Sequence, residues 1–259
     1  MPHRVDADES TLDELLEQGG AFALAETILS SSDRKEVFTA SGEIDMQMRR
    51  ATGVAKAPYV AAFVDMLLES EQKVVLFGWH RAVYSIWLER LAEHNPVLYT
   101  GSESPMQKEQ SRARFMGGDE LEQFRQNRSW SSCAQMEEAT SESRVLIMSL
   151  RSGSGMDGIQ HMCNVGVFGE LDWSPGIHDQ CEGRYHRDGQ QNPAVSYFLV
   201  ADVGSDPVVA DVLNLKEQGS RPIVDPNRPL FEAADVSDRM KKLAESVLAK
   251  RKRRRAVPA

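Results

Sequence analysis

The chain has 259 residues, 41% of them hydrophobic and 27% charged. That balance excludes global disorder and is long enough for one large domain with extensions or for two small ones. No apolar run approaches the roughly 20 residues a membrane span needs, and the acidic "MPHRVDADESTLDELLEQ" is unlike a signal peptide, so the expectation is an intracellular protein with no membrane partner. Cys133, Cys163 and Cys181 lie far apart with no C-x-x-C pair, which argues against a zinc site or a disulfide framework; they are expected to be reduced and structural, and no metal site is assigned. The formal net charge of −9 argues against a nucleic-acid binder, but it is unevenly spread. Asp6, Asp8, Glu9, Asp13, Glu14 and Glu17 crowd the N-terminus, while "KRKRRR", led by Lys250 and Arg251, lies near the other end. Such a block is either a solvated, mobile tail or a phosphate-backbone contact, with a nuclear address as a third reading.

In chain order, the first elements are helical. Ser10 is the expected cap of a helix carrying Leu12, Leu15 and Leu16, and Gly19-Gly20 breaks it before Phe22, Leu24, Ile28 and Leu29. The stretch "IDMQMRRATGVAKAPYVAAFVDMLLES" gives two helical pieces split near Gly53 and Pro58, the second amphipathic through Val60, Phe63, Val64, Leu67 and Leu68. From Lys73 short apolar strands alternate with helices. "KVVLF" (73–77) is a β-branched run suited to a buried parallel strand, and "AVYSIWLERLAEH" (82–94) follows as a helix. "PVLYTG" (96–101) with the helix 104–117 repeats the unit, and strands are expected at 144–150, 164–169 and 194–202 with a helix over 175–186. This predicts an α/β fold, an open, mostly parallel sheet with helices on both faces. The polar stretch 117–143, part helix and part loop, is long for a connection and reads equally as a functional insertion or a mobile surface excursion. After a Pro-rich segment with Pro222, Pro226 and Pro229, a last helix carries the basic tail. Boundaries fall near Pro58 and Gly219, giving a helical segment 1–57, a sheet domain 58–219, and a linker, helix and tail over 220–259.

Ligands of open parallel sheets gather at the carboxyl ends of the strands. After the 144–150 strand comes "RSGSGMDGIQ", where Gly153, Gly155 and Gly158 let the backbone approach a ligand and aim amide N–H groups at an anion. Such a turn alone is a weak signal. After the 164–169 strand comes "ELDWSPGIHDQCEGRYHRDGQ". A helix begun at Pro175 places Gln180, Gly183, Arg184 and Arg187 at i, i+3, i+4 and i+7, on one face. Its arginines are either solvated and paired with Glu182 or Asp188, or a bidentate clamp on a nucleotide polyphosphate, for which guanidinium supplies fixed planar donors.

These residues carry a resemblance. "QCEGRYHRDGQ" resembles the last motif of superfamily 2 helicases, particularly the Swi/Snf-type DNA translocases, with a glutamine, two arginines three apart and a closing Gly-Gln. "KVVLFGWH", "LYTGSESPMQKEQSRARF" and "SLRSGSGMDGIQHMCNVGVFGELDWSP" resemble, in order, the segments that build the second RecA-like lobe of that family, and "MRRATGVAKAPYVAAFVDMLLE" resembles its helical lead-in. The likeness covers about residues 45–205 and implies a RecA-like C-terminal lobe. It implies Arg187 as an arginine finger on the γ-phosphate of ATP, with Arg184 holding phosphates or tying the lobes together. Gln180, Gly183, Gly155, Asp157 and Gly158 are implied on the nucleotide side, and Ser149, Arg151, Trp79 and His80 toward DNA; for Trp79 a core position is the alternative. The glycine turn is longer than the family's, and "CEGRYH" departs from its usual residues, His186 fitting a structural role equally.

A complete motor also needs a P-loop, G-x-x-x-x-G-K-[ST], and an acidic box that holds Mg²⁺. Neither occurs in these 259 residues. The expectation is therefore half of an ATP-hydrolysing DNA helicase or translocase, acting on duplex DNA and inactive alone. ATP and Mg²⁺ would be completed by a P-loop lobe in trans or elsewhere in a longer protein. The alternative is a non-catalytic nucleic-acid-binding module that keeps the fold.

Overall fold

The computed structural model describes residues 1–151, 156–213 and 236–256. The chain forms two compact units, one of Met1 with Ala57–Leu199, the other of Pro2–Lys56 with Val200–Ala259.

The first unit is built on a parallel sheet. Strands β2 (Val74–Gly78), β3 (Val97–Tyr99), β4 (Val145–Ser149), β5 (Val165–Phe168) and β6 (Val195–Val200) take the order β6-β5-β2-β4-β3. The register pairs Val74 with Val145 and Gly78 with Ser149, and Phe77 with Phe168. Every residue of β2, β4 and β5 is buried, which is why these strands read as unbroken apolar runs rather than alternating ones. Register stacks aromatic rings across strands: Phe77 on Phe168 at 4.9 Å and Phe168 on Phe198 at 4.6 Å, between ring centroids.

Crossover helices cover the sheet. Helix α4 (Arg81–Arg90) buries Val83, Tyr84 and Trp87, and a single 3-10 turn follows at Ala92–His94. Trp87 lies close against backbone: a Cβ at Gly78 would come within 2.6 Å of its ring and one at Gly169 within 2.5 Å. Helix α5 (Pro105–Met116) starts on a capping box, Ser104 accepting from the Gln107 N–H while the Gln107 side chain accepts from the Ser104 N–H. The polar stretch after it folds into α6 (Gly118–Gln126) and α7 (Cys133–Thr140), with Leu121 and Phe124 packed beside Ala113 and Trp130. Helices α8 (Ile159–Met162) and α9 (Pro175–Glu182) complete the crossovers.

The second unit is helical. A short strand β1 (Pro2–Arg4) precedes α1 (Glu9–Gln18) and α2 (Ala21–Ser30). The α1 cap is Asp8, not Ser10: its carboxylate accepts from the Ser10 and Thr11 N–H groups and the Thr11 hydroxyl, and these bonds hold it below the usual carboxylate range. Gly20, at φ 71°, makes the expected break. Helix α10 (Asp206–Val212) and helix α11 (Val236–Ala256) close the unit, α11 burying Met240, Leu243, Ala244 and Val247.

The expected split near Gly53 and Pro58 does not occur, because α3 runs unbroken from Arg34 to Leu67 with Pro58 inside it. A proline forfeits one backbone bond and costs about 3 kcal/mol. Apolar burial on both sides offsets it: Ala51 and Ala55 precede it, and Ala57, Val60, Ala61 and Val64 flank and follow it, all at 2% exposure or less. Arg144 satisfies the carbonyls where α3 ends, donating to those of Leu68, Glu71 and Gln72 at 2.6, 2.9 and 3.0 Å.

Candidate functional site

Three loops leave the carboxyl ends of β2, β4 and β5, adjacent strands at the middle of the sheet. Trp79 and His80 follow β2, and their backbone N–H groups both donate to Glu170 Oε2, at 2.7 and 2.9 Å. The other oxygen of Glu170 lies 2.6 Å from His80 Nδ1. Glu170 is buried, two residues beyond β5, so one carboxylate of the β5 loop fixes both the path of the β2 loop and the His80 ring.

Arg151, just past β4, is held similarly. Ser149, the last residue of β4, accepts from the Arg151 N–H at 3.3 Å. The Arg151 guanidinium donates through Nε and Nη2 to Asp172 Oδ2, at 3.2 and 2.9 Å, and stands over the Trp79 ring at 5.3 Å. Asp172 is buried and in turn accepts from the Ser174 N–H, while its own N–H donates to His178. Tyr84 lies buried beside this cluster; burial first and the Glu170 charge second push its phenol well above the usual range, so it stays neutral at working pH. Trp79, His80, Ser149 and Arg151 are thus brought together on one edge of the sheet. Glu170, Asp172 and Tyr84 escaped the sequence reading, the two acids being legible there as polar positions of the loop "FGELDWSP" and nothing more.

The two arginines sit differently from the expectation. Helix α9 ends at Glu182, so Gln180, Gly183, Arg184 and Arg187 do not share a helical face. Gly183 is the C-cap, and the chain continues in turns closed by N–H groups of Arg184, Tyr185 and His186 on carbonyls of Cys181 and Glu182. The cause is Tyr185, which is fully buried, its hydroxyl 2.6 Å from Ser196 Oγ and its ring packed over Gly166. That anchor takes the backbone out of the helix and leaves Arg184 partly buried and Arg187 exposed on either side. Burial pushes the Cys181 thiol beneath up to about 12, against the opposing pull of the Arg184 charge. Gln190 closes the turn by donating to the carbonyls of Cys163 and Tyr185, at 2.9 and 3.1 Å.

Arg187 Nη1 pairs with Asp157 Oδ1 at 3.0 Å, both side chains mostly exposed. Arg187 also lines an open cavity of about 420 Å³ with His186, Asp188 and Asn192 among its walls. Gly158, at φ 94°, opens α8 in a conformation that favours glycine, and Gly153 and Gly155 fall outside the described residues. Gln180 is exposed on α9. Among the described residues no group of three or more His, Cys, Asp or Glu side chains is placed to hold a metal ion, and no helix is long and apolar enough to cross a membrane.

Lys250 and Arg251 lie on α11 within the second unit. Lys250 Nζ sits 3.2 Å from Glu9 Oε2 and 2.9 Å from Asp13 Oδ1. Arg251 pairs with Glu26 at 2.7 Å and stands over the Phe22 ring at 5.3 Å. The first two residues of the basic block are therefore engaged with the acidic N-terminal helices rather than free in solvent.

No protein-family model matches the chain. It is 28% identical over 192 residues to the Drosophila melanogaster SWI/SNF-related matrix-associated actin-dependent regulator of chromatin subfamily A-like protein 1, covering 71% of this chain and 22% of that protein. To the human DNA annealing helicase and endonuclease ZRANB3 it is 26% identical over 199 residues, covering 74% of this chain and 16% of that protein. The chain thus spans about a fifth of the length of these curated relatives. The crystal structure of the C-terminal part of the Fun30 ATPase domain superposes with a TM-score of 0.57 at 12% identity, over 96% of this chain and 97% of that one. The chain is thus similar in sequence to SWI/SNF-related and DNA annealing helicase proteins, and it shares the fold of the C-terminal part of the Fun30 ATPase domain.

Proposed function

We propose that the chain is the C-terminal motor lobe of a Swi/Snf-type, ATP-dependent DNA helicase or translocase. Arg187 is its arginine finger, Arg184 a supporting cation, and the Trp79, His80, Ser149 and Arg151 edge faces DNA. The observation that carries the reading is the placement of Arg187: exposed, on a loop anchored at both ends by buried Tyr185 and by Gln190, beside an open polar cavity. Guanidinium stays charged at any working pH, and phosphoryl transfer is accelerated mainly by placing charge against the transferred group. Asp157 holds this guanidinium by a pair that an incoming phosphate replaces, since the pair is solvent-exposed and weak. Gln180, Gly183 and Gly158 belong to the same nucleotide-facing surface. ATP and Mg²⁺ are held chiefly by a P-loop lobe outside these residues, which contain no G-x-x-x-x-G-K-[ST]. That lobe and duplex DNA are the partners, inside the cell.

The absence of a P-loop motif from these residues also favours a second reading, a nucleic-acid-binding module without catalysis. One experiment separates the two. ATP turnover is measured with and without duplex DNA, for this chain alone and with a P-loop lobe from the same source. Turnover in the mixture alone, cut at least about 10²-fold by Arg187→Ala with the fold intact, supports the motor reading. Normal turnover in that variant removes the finger assignment, and DNA binding without rescue by a lobe of verified competence supports the module.

A further inference from the structure

Two carboxylates of the β5 loop are buried deeply, Glu170 at 4% and Asp172 at 1% exposure. Taking a carboxylate out of water is costly unless its hydrogen bonds are made, and here they are made largely to groups of a neighbouring surface. Glu170 accepts from the Trp79 and His80 backbone and meets the His80 ring, and Asp172 accepts from both donating nitrogens of Arg151. The residues thus fixed stay open to solvent: Trp79 is 38% exposed and the Arg151 side chain 50%. A partly exposed indole on a tethered backbone, with a guanidinium 5.3 Å over its ring, is a stacking platform with a cation beside it.

We infer that Trp79 and Arg151 bind an unpaired DNA base, the base stacking on the Trp79 ring while Arg151 meets the adjoining phosphate, so that the lobe recognises DNA carrying a single-stranded stretch. The inference rests on the DNA-facing edge assigned under the proposed function and names the form of DNA it takes. Within an intact duplex the faces of the bases are already stacked on one another, and an aromatic side chain gains a base face where the strand is unpaired. The Trp79 backbone is tied to Glu170 and the Arg151 side chain to Asp172, so the pair is placed before the ligand arrives and less ordering entropy opposes binding. Arg151 keeps its pair with Asp172 while half its surface remains available to a phosphate.

The test uses the full chain and fluorescence anisotropy with a labelled dT oligonucleotide and a blunt duplex of equal length. Trp79→Leu keeps apolar bulk without a ring and Trp79→Phe keeps a ring. The expected result is that Trp79→Leu weakens dT binding about ten-fold or more and duplex binding by less, and that Trp79→Phe stays within about three-fold of the parent for dT. Intrinsic tryptophan fluorescence, quenched by dT in the parent and unquenched in Trp79→Phe, gives a second readout that does not depend on the leucine variant folding. Unchanged dT binding by Trp79→Leu, or parent binding to duplex alone, overturns the platform and leaves the DNA-facing edge standing. A parent chain that binds neither DNA overturns both.

Discussion

The ion pair between Lys56 and Asp206 should be worth several kilocalories in one direction and almost nothing in the other. Its atoms are 2.6 Å apart, at 1% and 4% residue exposure, and Asp206 Oδ2 also accepts from the Ala201 N–H at 2.9 Å. At an effective dielectric of about 20 the attraction is about 6 kcal/mol, most of it offset by the desolvation of two charges. Lys56→Met leaves the carboxylate buried with one backbone donor and should destabilise the second unit by about 3 to 5 kcal/mol. For a urea m-value near 2 kcal/mol/M, the midpoint falls by about 1.5 to 2.5 M. Adding Asp206→Asn removes the stranded charge while its amide oxygen still accepts from Ala201, so Lys56→Met/Asp206→Asn should recover to within about 1 to 2 kcal/mol of the parent. Urea unfolding followed by far-UV circular dichroism measures both. A loss below about 1 kcal/mol for Lys56→Met, or a double variant no better than the single, would refute the reasoning.

Gly166→Ala should lower the melting temperature markedly, because its Cβ would lie 2.4 Å from Tyr185 Cζ on a ring with no room to retreat; overpacking of this kind costs about 1 to 3 kcal/mol or more, and calorimetry showing no loss would contradict it. Thiol labelling at pH 8 should find one fast cysteine in the native chain. Cys133 is exposed, whereas burial pushes Cys163 and Cys181 up to about 12, leaving roughly one part in 10⁴ as thiolate; two or three equally fast thiols would show that the burial is wrong.

The sheet was legible because strands buried on both faces carry an unmistakable composition: "KVVLF" and "RVLIMSL" lie within a residue or two of β2 and β4. The expected helix from Pro175 is present but stops before the arginines, for the opposite reason. Helical spacing is a local signal, and α9 is ended by the long-range demand that Tyr185 pack over Gly166, which no window around Arg184 contains. Glu170 and Asp172 were invisible in the same way, since their partners lie on loops about 90 and 21 residues away and meet them only through the strand order. Pro58 misled because a rule for isolated helices met one supported by tertiary burial. The motif resemblance reached Trp79, His80, Ser149 and Arg151 where spacing alone did not, but it carried no sign that Asp157 and Arg187 pair with each other.

The second unit is assembled from both ends of the described chain. Lys56 meets Asp206 across 150 residues, and Arg251 reaches Glu26 across 225. The sheet unit, by contrast, occupies Ala57–Leu199 almost without interruption. During synthesis the two therefore mature at different times. The sheet unit has nearly all its strands once residue 199 has left the ribosome, whereas α2, which packs on α11, must wait for that helix to follow. Chains halted between those points would hold a formed sheet and an α2 without the helix it packs on, an intermediate open to aggregation.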